Sequence, residues 1–285
     1  MPSGILVINL GSSSVKISLF DISTNNLIAS YNHKLSCIGY INTTEVTNFI
    51  QQSLIENFNI TKIVHRVVHG GKFFKGPIKI NLDSYSKIKE LAIFAPLHNT
   101  NSLKIIDLCN KLFKRTPNYA CFDTAFFSDL PTESKIYSIP YKFYKDYSIQ
   151  KYGFHGINHQ YCLNLLPDDL KFGKVVILHL GSGASICSCL NAKPLDTTMG
   201  FTPLDGLIMS TRTGSIDPGI ILYMVKLGYS FDELDNILNH KSGLLGLSCK
   251  CVDFKELLEN QDTNKQYKLA IDVYFHNLNP TQLVV

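Results

Sequence analysis

One unit is written into this chain twice, and it constrains the fold more than any other feature. An apolar run from Ile5 to Ile8 passes through Asn9 and Leu10 into Gly11-Ser12-Ser13-Ser14, and Val15 to Phe20 leads out. Farther along, Ile177-Leu178-His179-Leu180 enters Gly181-Ser182-Gly183 and leaves through Ala184-Ser185-Ile186. Leu10-Gly11-Ser12 aligns with Leu180-Gly181-Ser182 without a gap, and Asn9 falls opposite His179. Short apolar runs bounded by turn residues read as buried strands. Each copy therefore predicts a strand, a tight glycine turn and a returning strand.

The composition of the turns suggests their chemistry. Small residues let backbone N–H groups approach a ligand, and successive N–H groups form an anion-binding concavity. The hydroxyls of Ser12 and Ser14 add donors, and Lys16 stands on the returning strand. The spacing is not that of a P-loop, and no helix follows it. A single such turn reads as an ordinary hairpin. Two matched copies read as paired phosphate hairpins of a bilobal phosphotransferase, with nucleotide held between the lobes.

At 285 residues the chain is long enough for two cores, expected as domains 1–150 and 151–285. A net charge of +4 with scattered Lys and Arg argues against a nucleic-acid face. Met1-Pro2-Ser3 runs straight into the first strand, and no apolar run reaches the ~18 residues that span a bilayer. No membrane contact and a cytoplasmic location are expected, with the eight cysteines reduced. Cys187/Cys189 and Cys249/Cys251 lack zinc-finger spacing, and the first pair falls on one strand face, as core residues do.

Between the hairpins, Leu27 to Leu35 predicts a third strand that completes a meander. Asn42-Thr43-Thr44-Glu45 reads as a capping box opening a helix to about Phe58, with Val46, Phe49, Ile50 and Leu54 on its apolar face. Ile63 to Val68 and Tyr119 to Phe122 read as strands, and Ser84 to Phe94 and Ser102 to Lys114 as helices. Meander, helix, strand, helix, strand is the order of a ribonuclease-H-like domain. In open α/β sheets ligand groups gather beyond the carboxyl ends of strands, where Asn9, Arg66 and Asp123 fall. The second meander is expected over Lys174 to Leu180, Ile186 to Leu190 and Pro194 to Thr198. Helices follow over Pro218 to Leu227, Phe231 to Asn239 and Asp253 to Phe275, the last broken near Asp262-Thr263-Asn264, and the tail from His276 reads as non-helical. Carried through the repeat, the counterpart of Asp123 falls beyond Val285, so the second domain is expected to be incomplete.

Five blocks concentrate His, Arg and Asp beside Gly and Pro. They are His65-Arg66-Val67-Val68-His69-Gly70-Gly71, Ala95-Pro96-Leu97-His98-Asn99, Phe122-Asp123-Thr124, Tyr152-Gly153-Phe154-His155-Gly156-Ile157-Asn158-His159 and Thr211-Arg212-Thr213-Gly214-Ser215-Ile216-Asp217. With Val7 to Lys16, Met199-Gly200-Phe201-Thr202-Pro203-Leu204-Asp205-Gly206-Leu207 and Ser242-Gly243-Leu244-Leu245-Gly246, these blocks closely resemble the acetokinase family of short-chain carboxylate kinases. The resemblance runs from about Ile5 to Phe275. It implies the duplicated α/β fold shared with sugar kinases, Hsp70 and actin.

The activity it implies is reversible transfer of the ATP γ-phosphate to acetate, giving acetyl phosphate and ADP with Mg²⁺ or Mn²⁺. Alternatives are a propionate or butyrate kinase, or a remnant that only binds ligand. By resemblance Arg66 and Arg212 flank the carboxylate and the transferring phosphoryl, His155 stabilises the transition state, and Asp123 assists. Asn9 lies on the metal side with Ser12, Ser14 and Lys16. His179, Leu180, Gly181, Ser182, Gly183, Ala184 and Ser185 form the second phosphate loop, and Val68, Leu97 and Pro203 line a methyl pocket. Homodimerisation is also implied. Departures from the family pattern are Ser182 for Asn, Ile157-Asn158 for a small hydroxyl pair, Ser215 for an acidic residue, and a shorter stretch from Asp21 to Thr61. The family's carboxyl-terminal part, with its glycine-rich adenosine stretch and an acidic metal-side residue, has no match here. That predicts weak nucleotide binding and an exposed apolar sheet edge.

General chemistry agrees with the arginine roles. Phosphoryl transfer is mostly positioning plus neutralisation of charge on equatorial oxygens. A guanidinium fits those oxygens in a bidentate, permanently charged way. A carboxylate is already a nucleophile at neutral pH, so His155 is not needed as a base. His65, His69, His98 and His159 read as structural hydrogen-bonders.

Overall fold

The computed structural model describes residues 2–11, 14–34, 44, 46–48, 50 and 58–278. The chain divides into two compact units, Met1–Ser128 and Asp129–Val285. This division precedes the 150/151 position expected from the sequence. The intervening stretch bonds forward: Lys151 N donates to Lys135 O at 2.8 Å, Tyr152 N to Gly200 O at 3.0 Å and Phe201 N to Tyr137 Oη at 2.8 Å.

In the first unit β1 (Ser3–Leu10), β2 (Ser14–Asp21) and β3 (Leu27–Lys34) form the expected antiparallel meander. Alternation drives it: Leu6, Ile8 and Leu10 of β1 and Val15, Ile17 and Leu19 of β2 are all buried. β4 (Asn59–Val67) lies parallel to the free edge of β1, and β6 (Asn118–Phe122) lies parallel to β4. A two-residue strand, β5 (Ile78–Lys79), closes the sheet in the order β3-β2-β1-β4-β6-β5. Thr44, residues 46–48 and Ile50 are helical, with Val46 and Ile50 buried, whereas Asn42, Thr43, Glu45, Phe49 and Leu54 lie outside the described residues.

Helix α1 (Leu82–Glu90) starts earlier than read, because the Asn81 side chain accepts from Ser84 N while Ser84 Oγ accepts from Asn81 N. A short 3₁₀ turn, Leu91–Ile93, ends it. Helix α2 (Pro96–Leu112) also begins ahead of the expected Ser102, with Pro96 in its first turn, where the ring's fixed φ is pre-set for a helix. Ile105 and Cys109 of α2 join the core of β1, β2 and β4.

In the second unit α3 (Thr132–Lys135), α4 (Lys142–Tyr147), α5 (Gly156–Leu165) and α6 (Asp168–Lys171) precede the second meander. The sequence reading did not anticipate these helices. Three are of four to six residues, and α5 buries only Gly156, His159 and Leu163, a face without an apolar stripe. The meander itself is β7 (Lys174–Leu180), β8 (Ala184–Leu190) and β9 (Lys193–Thr197). Helices α7 (Pro218–Lys226), α8 (Phe231–His240), α9 (Gly243–Ser248), α10 (Phe254–Asn260) and α11 (Lys265–Asn277) follow. The break near Asp262 separates α10 from α11. Contrary to the reading of the tail, α11 continues through His276 to Asn277.

Among the described residues β8 is central in the order β7-β8-β9, and β7 pairs on one side only. Alternate β7 side chains Val176, Leu178 and Leu180 are 48%, 48% and 52% exposed, so this edge strand shows an apolar face. Replacing Leu178 by Thr is expected to shift unfolding stability by about 0.5 kcal/mol or less. It should also lower binding of an apolar-surface dye. Urea titration and dye fluorescence check both, and a large stability loss would mean that Leu178 is packed.

Candidate active site

The first unit gathers its chemistry at the carboxyl ends of three strands. Asn9 is next to last in β1, Arg66 is next to last in β4, and Asp123 directly follows β6. Arg66 Nε donates to Asp123 Oδ1 and Oδ2 at 3.0 and 3.1 Å, and Nη2 donates to Oδ2 at 2.6 Å. Its remaining arm, Nη1, donates to Asn9 Oδ1 at 3.0 Å. Asp123 is 1% exposed, and its N–H is tied to Val67 O at 3.1 Å. Burial works against the Arg66 charge, but the Asp123 charge and its hydrogen bonds outweigh it and raise the guanidinium pKa. Lys16 pairs in register with Asn9 and is exposed, and Ser14 O accepts from Gly11 N at 2.8 Å. Ser12 lies outside the described residues. Val68 is buried just beyond β4; Leu97 is in the first turn of α2, its side chain outside the description.

The second unit builds a denser cluster. His155 caps α5 in a left-handed conformation, φ 59°, and its Nδ1 lies 2.9 Å from Ser185 Oγ. His159, one turn along α5, places Nε2 2.8 Å from the same hydroxyl. The His179 ring stacks on His155 with centroids 4.0 Å apart, and His179 Nδ1 donates to Asn158 Oδ1 at 2.9 Å. A Cβ at Gly183 would stand 3.2 Å from His155 Nε2 and 3.7 Å from Arg212 Nη1, so glycine leaves open the point on which both converge. Arg212 Nη1 donates to Pro203 O at 3.4 Å, and burial lowers the Arg212 pKa. The second loop is held by Gly181 N donating to Gly183 O at 3.1 Å and Ser210 N donating to Ser182 O at 3.1 Å. Leu180, Gly181 and Ser182 are exposed, and Ala184 is buried.

The structure thus groups Asn9, Arg66 and Asp123 in one unit, and His155, His179, Gly183 and Arg212 in the other. Val68 and Pro203 belong to different units. Two departures from the family pattern acquire partners: Asn158 holds His179, and Ser215 Oγ donates to Asp205 Oδ1 at 2.6 Å. The close relation of Ser185 to His155 and His159 went unread, although Ser185 is the register partner of His179 and the two histidines are spaced i, i+4.

Other polar residues support the scaffold. His65 is 2% exposed and its Nε2 donates to Asn118 Oδ1 at 2.7 Å. Gly71 N donates to His69 Nδ1 at 3.0 Å, and Asn99 brackets the His69 backbone at 3.1 and 3.0 Å. Burial lowers His65, His69 and His159 to about 4, with the His179 charge contributing at His159. Cys187 and Cys189 are fully buried with Sγ atoms 3.5 Å apart; the hydrogen bond to Cys189 and burial raise the Cys187 pKa and keep it a thiol.

Residues 32–281 match the Acetokinase family. The acetate kinase of Buchnera aphidicola subsp. Cinara cedri is 41% identical over 302 aligned positions, covering 95% of this chain and 74% of that protein. Among solved structures, a propionate kinase from Francisella tularensis superposes with a TM-score of 0.86 at 36% identity, covering 97% of this chain and 78% of that one. The acetate kinase of Entamoeba histolytica superposes with a TM-score of 0.84 at 33% identity, covering 98% and 77%. The fold is therefore the duplicated α/β fold expected from the repeat.

Two outcomes follow from the geometry. Arg66→Ala strands the buried Asp123 carboxylate and is expected to cost about 3 kcal/mol of stability, which Asp123→Asn in the same chain should largely restore. Urea titration of the three variants checks this; equal stability of Arg66→Ala and the parent would show that the pair is not coupled. Protonation of the buried histidines favours the unfolded chain, because their pKa is about 4 when folded against 6.5 ordinarily. Unfolding stability should therefore be flat above pH 6.5 and fall as pH drops from 6.5 to about 4. His65→Gln, which keeps a donor for Asn118, should make that fall shallower.

Proposed function

This chain belongs to the acetokinase family, and we propose that it catalyses reversible transfer of a phosphoryl group between ATP and acetate, giving acetyl phosphate and ADP. The observation that carries this reading is the convergence of His155 Nε2 and Arg212 Nη1 on the open point at Gly183. A permanent cation and an imidazole edge beside one side-chain-free position suit a phosphoryl group whose charge is spread over its equatorial oxygens. In the direction that makes ATP, a β-phosphate oxygen of ADP attacks phosphorus. The bond from phosphorus to the acyl oxygen breaks, and acetate leaves with that electron pair. No proton is taken from the nucleophile, so His155 acts as a hydrogen-bond donor to developing charge rather than as a base.

Arg212 neutralises the transferring group. Arg66, oriented by the two-pronged Asp123 contact, offers the arm now on Asn9 to a carboxylate. The first hairpin, with Ser12, Ser14 and Lys16, and the second, from His179 through Ala184, supply phosphate contacts. Val68, Leu97 and Pro203 are proposed to line the acyl methyl, and the domains to function as the 1–150 and 151–285 halves.

Mg²⁺ or Mn²⁺ is proposed to enter with the nucleotide. Among the described residues no group of three His, Cys, Asp or Glu side chains forms a metal cage. Asn9 Oδ1 is a hard oxygen that could join the shell of such an ion once Arg66 releases it, with phosphate and water completing that shell, whereas the Asp123 carboxylate is enclosed with both oxygens on Arg66. Bound with nucleotide, the ion would neutralise phosphate charge. No helix among the described residues is long and apolar enough to cross a membrane. A cytoplasmic location and a homodimer are proposed with the family reading.

The likeness to a propionate kinase favours a second reading with a three-carbon acyl group. One methylene separates the substrates by only about 1–3 kcal/mol, so kcat/KM for the two acyl phosphates decides it. The primary test is ATP formation from acetyl phosphate, ADP and Mg²⁺ by the purified, monodisperse chain. Turnover is expected, with Arg212→Ala reducing kcat by about 10³-fold or more. No turnover from a folded sample would overturn the reading for these 285 residues.

A further inference from the structure

Ser185 is fully buried on β8, and its single hydroxyl meets two imidazoles, His155 Nδ1 at 2.9 Å and His159 Nε2 at 2.8 Å. A serine hydroxyl has one proton to give and lone pairs to accept with. With both rings neutral and the proton of the enclosed hydroxyl given to one of them, it accepts from the other. The proton positions on the two rings are therefore linked: if Ser185 donates to His155 Nδ1, His155 carries its proton on Nε2 and His159 donates from Nε2. The reverse arrangement leaves a bare lone pair on His155 Nε2.

The surroundings choose between these. His155 Nε2 and Arg212 Nη1 converge on the Gly183 point, where an anion is to be met by donors. His179, stacked on His155, gives its Nδ1 proton to Asn158 Oδ1, and so does not compete for the hydroxyl through that nitrogen. We propose that Ser185 is a positioning residue that donates to His155 Nδ1 and thereby holds the His155 ring proton on Nε2, facing the Gly183 turn. The choice of Nε2 and its catalytic consequence rest on the phosphotransferase reading, whereas the proton position itself can be measured in the resting chain without turnover. The other ring nitrogen's hydrogen bond sets an imidazole tautomer, as here. This role is distinct from the loop's phosphate contacts, because Ser185 is enclosed and acts through His155.

The test is ring-nitrogen NMR of the ¹⁵N-histidine-labelled full chain at pH about 8.5, above the ordinary imidazole range. The nine histidines are assigned by single His→Gln substitutions. Expected for His155 is a protonated Nε2 and a bare Nδ1. Ser185→Ala should convert this to a mixture of tautomers and lower kcat by about ten-fold or more with little change in KM. Ser185→Thr, which keeps the hydroxyl, should restore the tautomer and most of the rate. A proton on His155 Nδ1 in the parent chain, alone or on both nitrogens, overturns the proposal. So does an unchanged tautomer in Ser185→Ala. If the parent chain shows no turnover, that result counts against the proposed reaction, and the parent spectrum still decides the proton position.

Discussion

The register of β4 between two parallel neighbours is the constraint on which the first unit depends. Ile8 pairs with His65, Arg66 with Cys121 and Val67 with Phe122, so three strand ends arrive together with Asn9, Arg66 and Asp123 on them. A slip of one residue would exchange the faces of β4. It would send the Arg66 guanidinium into the core and turn the buried His65 outward. The core prevents this, because Ile63 and Val67 are fully buried and fix which face Arg66 takes. The arginine is thus held by packing several residues away, and Asp123 then orients it through three hydrogen bonds.

The second unit positions its groups differently. Its sheet supplies an antiparallel pair, His179 opposite Ser185, and a helix supplies His155 and His159 one turn apart. Burial takes the charge from one member of this cluster: His159 is pushed down to about 4 and is neutral at physiological pH. Burial lowers the Arg212 pKa, but a guanidinium stays charged in proteins. One permanent cation near a neutral His159 is an arrangement in which low local dielectric strengthens attraction for an anion.

The meanders and strand ends were legible because period-two burial and glycine turns are local signals. Arg66 and Asp123 could be read at strand exits for the same reason. The start of α2 was obscured because Pro96 and the polar His98-Asn99 look like a loop, yet Asn99 is enclosed to bracket the His69 backbone. Helix α5 was missed because its inward face holds a glycine and a histidine, and its stability comes from contacts to β7 and β8 rather than from an apolar stripe. The compact units divide at 128/129 rather than 150/151 because hydrogen bonds from Lys151 and Tyr152 are long-range and leave no trace in local pattern. The link from Ser185 to the two histidines is illegible for a similar reason: they stand on a helix some thirty positions earlier.

The two hairpins also show how one construction serves two chemistries. In the first, Leu10 pairs with Val15 across Gly11 to Ser14; in the second, Leu180 pairs with Ala184 across Gly181 to Gly183. The shorter second turn changes the partners, so Asn9 faces Lys16 whereas His179 faces Ser185. Lys16 is exposed, and a cation there keeps its hydration. Ser185 is enclosed between β8's neighbours and α5, where a lysine would leave an ammonium without water beside two histidines. Such a charge costs several kcal/mol to bury without a partner, on the order of the whole stability of a small domain. A hydroxyl both gives and accepts a hydrogen bond at no such cost, so the buried copy of the hairpin orders donors while the exposed copy contributes charge.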